Sequence, residues 1–239
     1  MHEITGSGFV EVITGSMFSG KTEELLRRLR RARIAGQTIS VFTPAMDDRY
    51  GTRTTGSHAG REWEATVVDP SDPWTIVDHV DTDTGSVEPG DADDPRGDAT
   101  DGAETAPTDT TSAPDGRTDA FGDGRRPTNG VVAVDEANFF ERELVGAVER
   151  LADDGYRVVV AGTDQTFRGE PFRPLPALTA VAEYVDKLRA ICAVCGEPAT
   201  RNQRLVDGEP AHAEDPTIVV GAEERYEARC RNCHVVRRD

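Results

Sequence analysis

Residues 15–22 read Gly15-Ser16-Met17-Phe18-Ser19-Gly20-Lys21-Thr22, the G-x-x-x-x-G-K-[ST] pattern of a phosphate loop. Its flanks restrict the fold. The apolar, β-branched run 9–14 precedes it, and a run with helical spacing, 22–29, follows. Strand, glycine turn and helix together aim backbone N–H groups and a positive helix end at one point, which suits a phosphate. The chain is therefore read as binding a nucleoside triphosphate. Lys21 adds to this. Of 27 Lys+Arg only Lys21 and Lys187 are lysines. A compact ammonium that reaches phosphate oxygens is not easily replaced by a planar guanidinium, so its retention at position 21 fits a phosphate role.

The rest of the chain falls into three parts. Residues 1–77 and 130–190 read as one α/β domain. The helix after the loop closes near Gly36, and a strand follows at 38–42. Regular structure resumes with a strand at 131–134, a helix at 142–152 closed by Asp154-Gly155, and a strand at 157–161. Strands alternating with helices predict a parallel sheet flanked by helices. Residues 78–129 are different. Between 78 and 130 there are 14 acids against four arginines, a net −10 of the chain's −17, and few large apolar residues. Such a stretch cannot bury enough apolar area to offset ordering entropy, so it reads as a disordered acidic insertion. Residues 191–239 are short, polar and cysteine-bearing, and read as a small metal-stapled lobe.

Two constellations carry chemistry. The strand at 131–134 runs into Asp135-Glu136. A carboxylate at the end of a buried strand beside a phosphate loop is placed to hold Mg²⁺, which assigns Asp135 that role. Glu136, next to it, is placed to accept the proton of an attacking hydroxyl or water. Cys192-x-x-Cys195 and Cys230-x-x-Cys233 are separated by 34 residues. Two such knuckles make a closed tetrahedral site, which predicts structural Zn²⁺ rather than catalysis. His234 follows Cys233, so a Cys₃His set is open beside Cys₄. The long spacing demands a sizeable loop between the knuckles.

A net charge of −17 and a pI near 4.7 describe a surface that repels nucleic acid, so no such partner is expected. The acidic, lysine-poor composition suits a high-salt cytoplasm. No stretch approaches 18 apolar residues and no signal peptide is visible, so a cytoplasmic protein with no membrane partner is expected.

These motifs together resemble the type II thymidine kinase family. The phosphate loop is similar to the family's G-[PS]-M-[FY]-S-G-K-[ST], and Asp47-Asp48-Arg49-Tyr50 to its K-D-x-R-Y. Ser57-His58 falls at a family Ser/Thr-His motif, and Asp135-Glu136-Ala137-Asn138-Phe139-Phe140 resembles D-E-[AG]-Q-F-F. The stretch 162–172 resembles G-L-D-x-x-F-R-G-E-P-F, and 220–226 resembles I-G-G-x-x-x-Y. The resemblance implies transfer of the γ-phosphoryl of ATP to the 5′-hydroxyl of thymidine with Mg²⁺, and Glu136 as general base. It implies ATP binding by residues 15–22, Asp135, Glu136, Ala137, Asn138 and Arg49, and Mg²⁺ binding by Thr22, Asp47 and Asp135. The nucleoside would meet Met17, Phe139, Thr163, Phe167, Val219, Val220, Gly221, Ala222 and Tyr226. The linker between the cysteine pairs would form a lasso over it, and four copies would assemble. Asn138 and Thr163 depart from the family's usual Gln and Leu, which opens the choice between thymidine and deoxyuridine. Two other readings fit the phosphate loop, a nucleic-acid-stimulated ATPase and a non-catalytic nucleotide sensor. The absence of a basic patch outside 27–33 disfavours the first, and Glu136 disfavours the second.

Overall fold

The computed structural model describes residues 8–45, 63–83, 130–217 and 225–238. Six short segments form the central sheet: β1 (Phe9–Gly15), β2 (Thr38–Pro44), β3 (Ala65–Val68), β4 (Gly130–Val134), β5 (Arg157–Thr163) and β6 (Tyr184–Leu188). They lie in the order β3-β2-β4-β5-β1-β6, and every pairing is parallel. The middle strands are nearly all apolar because both faces of a parallel sheet are covered.

Alternation sorts their side chains into two layers. Ile13, Val131, Ala133, Val159 and Ala161 face α1 (Lys21–Ile34), where Leu25, Leu29 and Ala32 meet them at helical spacing. Val12, Val132, Val134, Val158 and Val160 face α2 (Thr75–Asp83), α3 (Leu144–Asp153) and α4 (Leu175–Val181). Leu29 is fully buried, so truncation to alanine would cost about 3–5 kcal/mol. The first helix stops at Ala35, and Gly36 takes the left-handed turn at φ 71°. Gln37 N–H then caps Ala32 O at 3.0 Å.

One polar contact crosses the α1 layer. Arg28 pairs with the buried Glu11 of β1, with Glu24 at 2.9 Å and with Asp186 of β6, and Arg157 pairs with Glu11 at 2.7 Å. This network pins the helix in register over the sheet. Removing Glu11 should cost less than the roughly 3–5 kcal/mol of an isolated buried pair, because Arg28 keeps Glu24 and the more exposed Asp186.

The parallel sheet flanked by helices agrees with the sequence reading, with three adjustments. The stretch expected to begin an insertion at 78 is still helix through Asp83, because Val77 and Val80 are buried against the core. Residues 84–129, the rest of that stretch, lie outside the described residues. The short elements β3, α4 and β6 carry too few periodic positions to stand out in the sequence.

The third adjustment is in the cysteine-bearing lobe. Its linker is not one loop. A hairpin of β7 (Ala190–Ile191) and β8 (Pro198–Ala199) leads into β9 (Arg201–Val206), which pairs antiparallel with β10 (Glu209–Pro210) and β11 (Arg225–Arg229). The strand β9 hides from pattern reading because its buried side chains are polar: Asn202, Gln203 and Arg204 are each at most 3% exposed. Gln203 exchanges two hydrogen bonds with the Val235 backbone, both 2.8 Å. The lobe's apolar cluster is only Ala190, Cys192, Ala199 and Ala228 with Cys230 and Cys233, too little to hold it without a further staple.

Candidate active site and cysteine knuckles

The carboxyl ends of the sheet strands bring the sequence motifs together. At the end of β1 the chain turns through Gly15, where a Cβ would stand 2.5 Å from Leu188 O, so only glycine fits. Phe18 and Gly20 both adopt positive φ, 62° and 84°. This turn delivers α1 with no side-chain cap at its N-terminus, so its first N–H groups are free for an anion. The Ser19 hydroxyl is buried with no hydrogen-bond partner among the described residues, which suits a phosphate oxygen. Lys21 Nζ donates to Ser16 O at 2.9 Å, folded back over the loop.

The end of β4 supplies the acid pair. Asp135 is buried, and Asp135 Oδ1 accepts the Glu136 N–H at 2.9 Å. Glu136 sits at φ 52°, a left-handed conformation that turns the chain sharply out of the strand. Burial pushes the Glu136 carboxyl above its usual range, the Asp135 charge adds to this, and Lys21 opposes it. Burial likewise pulls the Lys21 ammonium down, opposed by Glu136, Asp135, Asp164 and Glu23. An enclosed lysine thus faces an acid pair above a ready anion site, which is a setting for charge to move in a phosphoryl-transfer reaction.

Beyond the acid pair, Ala137–Phe139 forms a 3-10 turn. Ala137 and Asn138 are buried, and Asn138 Oδ1 accepts the Thr163 N–H at 2.8 Å. The two departures from the family pattern therefore touch each other. Phe139 meets Phe172 edge-on, with centroids 6.1 Å apart. Phe167 is 3% exposed, under the guanidiniums of Arg168 and Arg204 at 4.6 and 5.2 Å. Its ring is thus covered by those guanidiniums. Tyr226 is half-buried on β11, opposite Arg204. Asp47, Arg49, His58, Val219, Val220, Gly221 and Ala222 lie outside the described residues.

Sequence reading missed Asn202. From β9 its Oδ1 accepts the Met17 N–H at 2.7 Å, and its Nδ2 donates to Gln165 O at 2.6 Å. The Ser16 hydroxyl also donates to Ala199 O at 3.4 Å. The cysteine lobe therefore grips the phosphate loop directly. No motif marks a lone Asn in a polar strand. A cleft of about 630 Å³ lies elsewhere, along α1 and the start of β1, lined by Phe9, Glu11, Arg27, Arg28, Tyr184 and Asp186. Its charged groups already serve the ion-pair network around Arg28.

The four cysteine sulfurs lie within 4.8 Å of one another. A tetrahedral Zn–S₄ unit with bonds of about 2.3 Å has sulfur–sulfur edges of about 3.8 Å, and Cys195 Sγ to Cys230 Sγ is 3.7 Å. The donor set fits structural zinc. Of the two ligand sets it favours Cys₄, because the close group of ligand atoms contains Cys233 and not His234. Cys233 therefore belongs to the cluster and His234 does not. Cys192 is drawn down to about 6, first by the Cys230 N–H, while Cys233 is pushed up to about 12 by the Cys230 and Cys195 thiols. Thiols that contest their protons in this way are ready to exchange them for a cation.

A parallel sheet, a phosphate loop at the end of β1 and an acid pair at the end of β4 define a phosphate-loop α/β protein with a Cys₄ lobe. The model of the thymidine kinase family matches residues 8–87 and 114–234. The thymidine kinase of Haloquadratum walsbyi is 59% identical over 245 residues, covering all of both chains. That of Halobacterium salinarum is 58% identical over 239 residues, again covering all of both. The chain belongs to the thymidine kinase family.

Proposed function

We propose that this protein phosphorylates the 5′-hydroxyl of thymidine with the γ-phosphoryl of ATP, and that Glu136 is the general base. The observation that carries this reading is the turn that sets Glu136 at the carboxyl end of β4 while Lys21 folds over the phosphate loop, each within reach of the other's charge and the Glu136 carboxyl raised by burial. A raised carboxylate is a better proton acceptor at neutral pH than an ordinary one. The thymidine kinase relatives support the choice of nucleoside, and the phosphate loop supports a nucleoside triphosphate as donor.

The residues divide the work as follows. Loop N–H groups from Phe18 to Thr22 and the Lys21 ammonium bind the triphosphate, and Lys21 moves from Ser16 O to the transferring phosphoryl. Charge that grows on that group is met by donors already in place, the source of most of the rate in phosphoryl transfer. Asp135 and Thr22 offer hard oxygen donors fit for Mg²⁺, which when bound would neutralise phosphate charge. Asp47 and Arg49 belong to the same proposal. Glu136 accepts the 5′-hydroxyl proton as that oxygen attacks. Ala137 and Asn138 carry the turn that aims it. Met17, Phe139 and Thr163, with Val219, Val220, Gly221, Ala222 and Tyr226, form the nucleoside pocket, and Phe167 backs it. Zn²⁺ at Cys192, Cys195, Cys230 and Cys233 holds the lobe, and assembly into a homotetramer completes the proposal.

The test is transfer of labelled γ-phosphate from ATP to thymidine by the wild type and Glu136→Gln. The variant is expected to bind ATP normally and to lose roughly 10²–10⁴ in turnover. Turnover near the wild-type value would remove Glu136 from the base role.

A further inference from the structure

Among 27 cations the chain keeps lysine at two positions, Lys21 and Lys187. Both act on one carboxylate. Lys187 Nζ lies 2.6 Å from Asp164 Oδ2, and Asp164 is among the acids whose charge reaches Lys21. The topology explains the meeting. In the sheet β1 lies between β5 and β6, with Gly15 opposite Thr163 and Thr14 opposite Lys187. Asp164 directly follows the end of β5. The ion pair therefore bridges the two strands that flank β1, at the point where β1 becomes the phosphate loop.

The pair is poorly built as a stability device. Lys187 is half exposed, whereas Asp164 is 12% exposed, and exposed cations contribute little to ion pairs. Asp164 Oδ1 is buried with no hydrogen-bond partner among the described residues, a cost that calls for a reason. Arg201, whose charge also feels Asp164, spends its guanidinium on Gln165 Oε1 at 2.6 Å and Gly169 O at 2.9 Å. The backbone holds the carboxylate in place from behind, since Phe172 N–H donates to Asp164 O at 2.9 Å.

We propose that Asp164 is a positioning residue for Lys21, and that position 187 is lysine because a single-point cation leaves one Asp164 oxygen free for that task. Asp135 and Glu136 from β4, Asp164 after β5 and Glu23 from α1 all act on the Lys21 ammonium through their charge. This keeps the ammonium aimed along the loop rather than free to wander. A guanidinium at 187 would present a fork that takes both carboxylate oxygens. It would keep the ion pair and lose the free oxygen. The argument rests on the proposed function only in taking Lys21 as the group that meets the transferring phosphoryl.

The experiment compares wild type, Asp164→Asn and Lys187→Arg by melting temperature, MgATP dissociation constant and single-turnover phosphoryl transfer to thymidine. Positioning matters in the transition state more than in the ground state, so transfer should slow by about tenfold in Asp164→Asn with MgATP affinity within about threefold of wild type. Lys187→Arg should keep the melting temperature and still slow transfer by about fivefold. A purely structural ion pair predicts the reverse for that variant, with transfer and stability both retained, and that result overturns the proposal even if Asp164→Asn fails to fold. A transfer rate within twofold of wild type in Asp164→Asn overturns it as well. A wild-type enzyme that moves no phosphate from ATP to any nucleoside overturns the proposed function first, and this inference with it. An active wild type with unaffected variants overturns this inference alone.

Discussion

At the scale of single residues the site depends on a few positions that tolerate no ordinary side chain. Gly15 is one: its φ of 149° and the Leu188 carbonyl 2.5 Å from a would-be Cβ both exclude alanine. Gly15→Ala should cost roughly 2–4 kcal/mol, or distort the loop so that ATP binding is lost. Thermal melts with and without ATP distinguish these from a tolerated change, which would appear as unchanged values in both. Asn202 is another. Asn202→Ala leaves the Met17 N–H without its 2.7 Å partner, a loss of about 1–3 kcal/mol focused on the phosphate loop. The expected result is a rise in KM for ATP that exceeds any rise for thymidine. Equal rises, or none, would mean that the contact does not shape the loop.

At the scale of elements, the sequence was legible wherever one chemistry repeats along the chain. The β1–loop–α1 unit, the β4 strand with its acid pair and β5 are continuous apolar runs closed by recognisable turns, and all stand where the residues place them. The cysteine knuckles were legible from spacing alone, though the preference for Cys233 over His234 needed the positions of the four sulfurs. What remained hidden was built on long-range polar pairing. β9 has no apolar alternation because Gln203 and Asn202 are satisfied by Val235 and by Gln165 and Met17, partners 32 to 185 positions away in the chain. The end of α2 was hidden for a compositional reason: Asp78 and Asp81 make it read as part of the acidic stretch, whereas Ile76, Val77 and Val80 hold the helix to the core. This element-scale view predicts one Zn²⁺ per chain. Because the lobe's apolar cluster is small and reaches the phosphate loop through β8 and β9, chelation should loosen the lobe and abolish activity together. Limited proteolysis should show cuts within 191–238 after metal removal that the metal-loaded protein resists. Folded, active protein that contains no metal would contradict this.

At the scale of the whole molecule, charge is the dominant fact. A net −17 on 239 residues repels itself, and salt of about 1 M shortens the screening length to about 3 Å from the 10 Å of 0.1 M. The melting temperature should therefore rise between these two salt concentrations, and a fall would point to stability carried mainly by surface ion pairs. The family match skips residues 88–113, inside the acidic stretch. Shortening that segment should leave kcat/KM for thymidine unchanged while raising the pI. No helix among the described residues is long and apolar enough to cross a membrane. The account rests in the end on one activity, so its decisive measurement is γ-phosphate transfer from ATP in high salt to thymidine, deoxyuridine, deoxycytidine and deoxyguanosine in parallel. The account predicts phosphorylated thymidine, deoxyuridine close behind because Thr163 replaces the family's leucine, and no purine product. ATP hydrolysis stimulated by DNA, with no nucleoside phosphorylated, would contradict it.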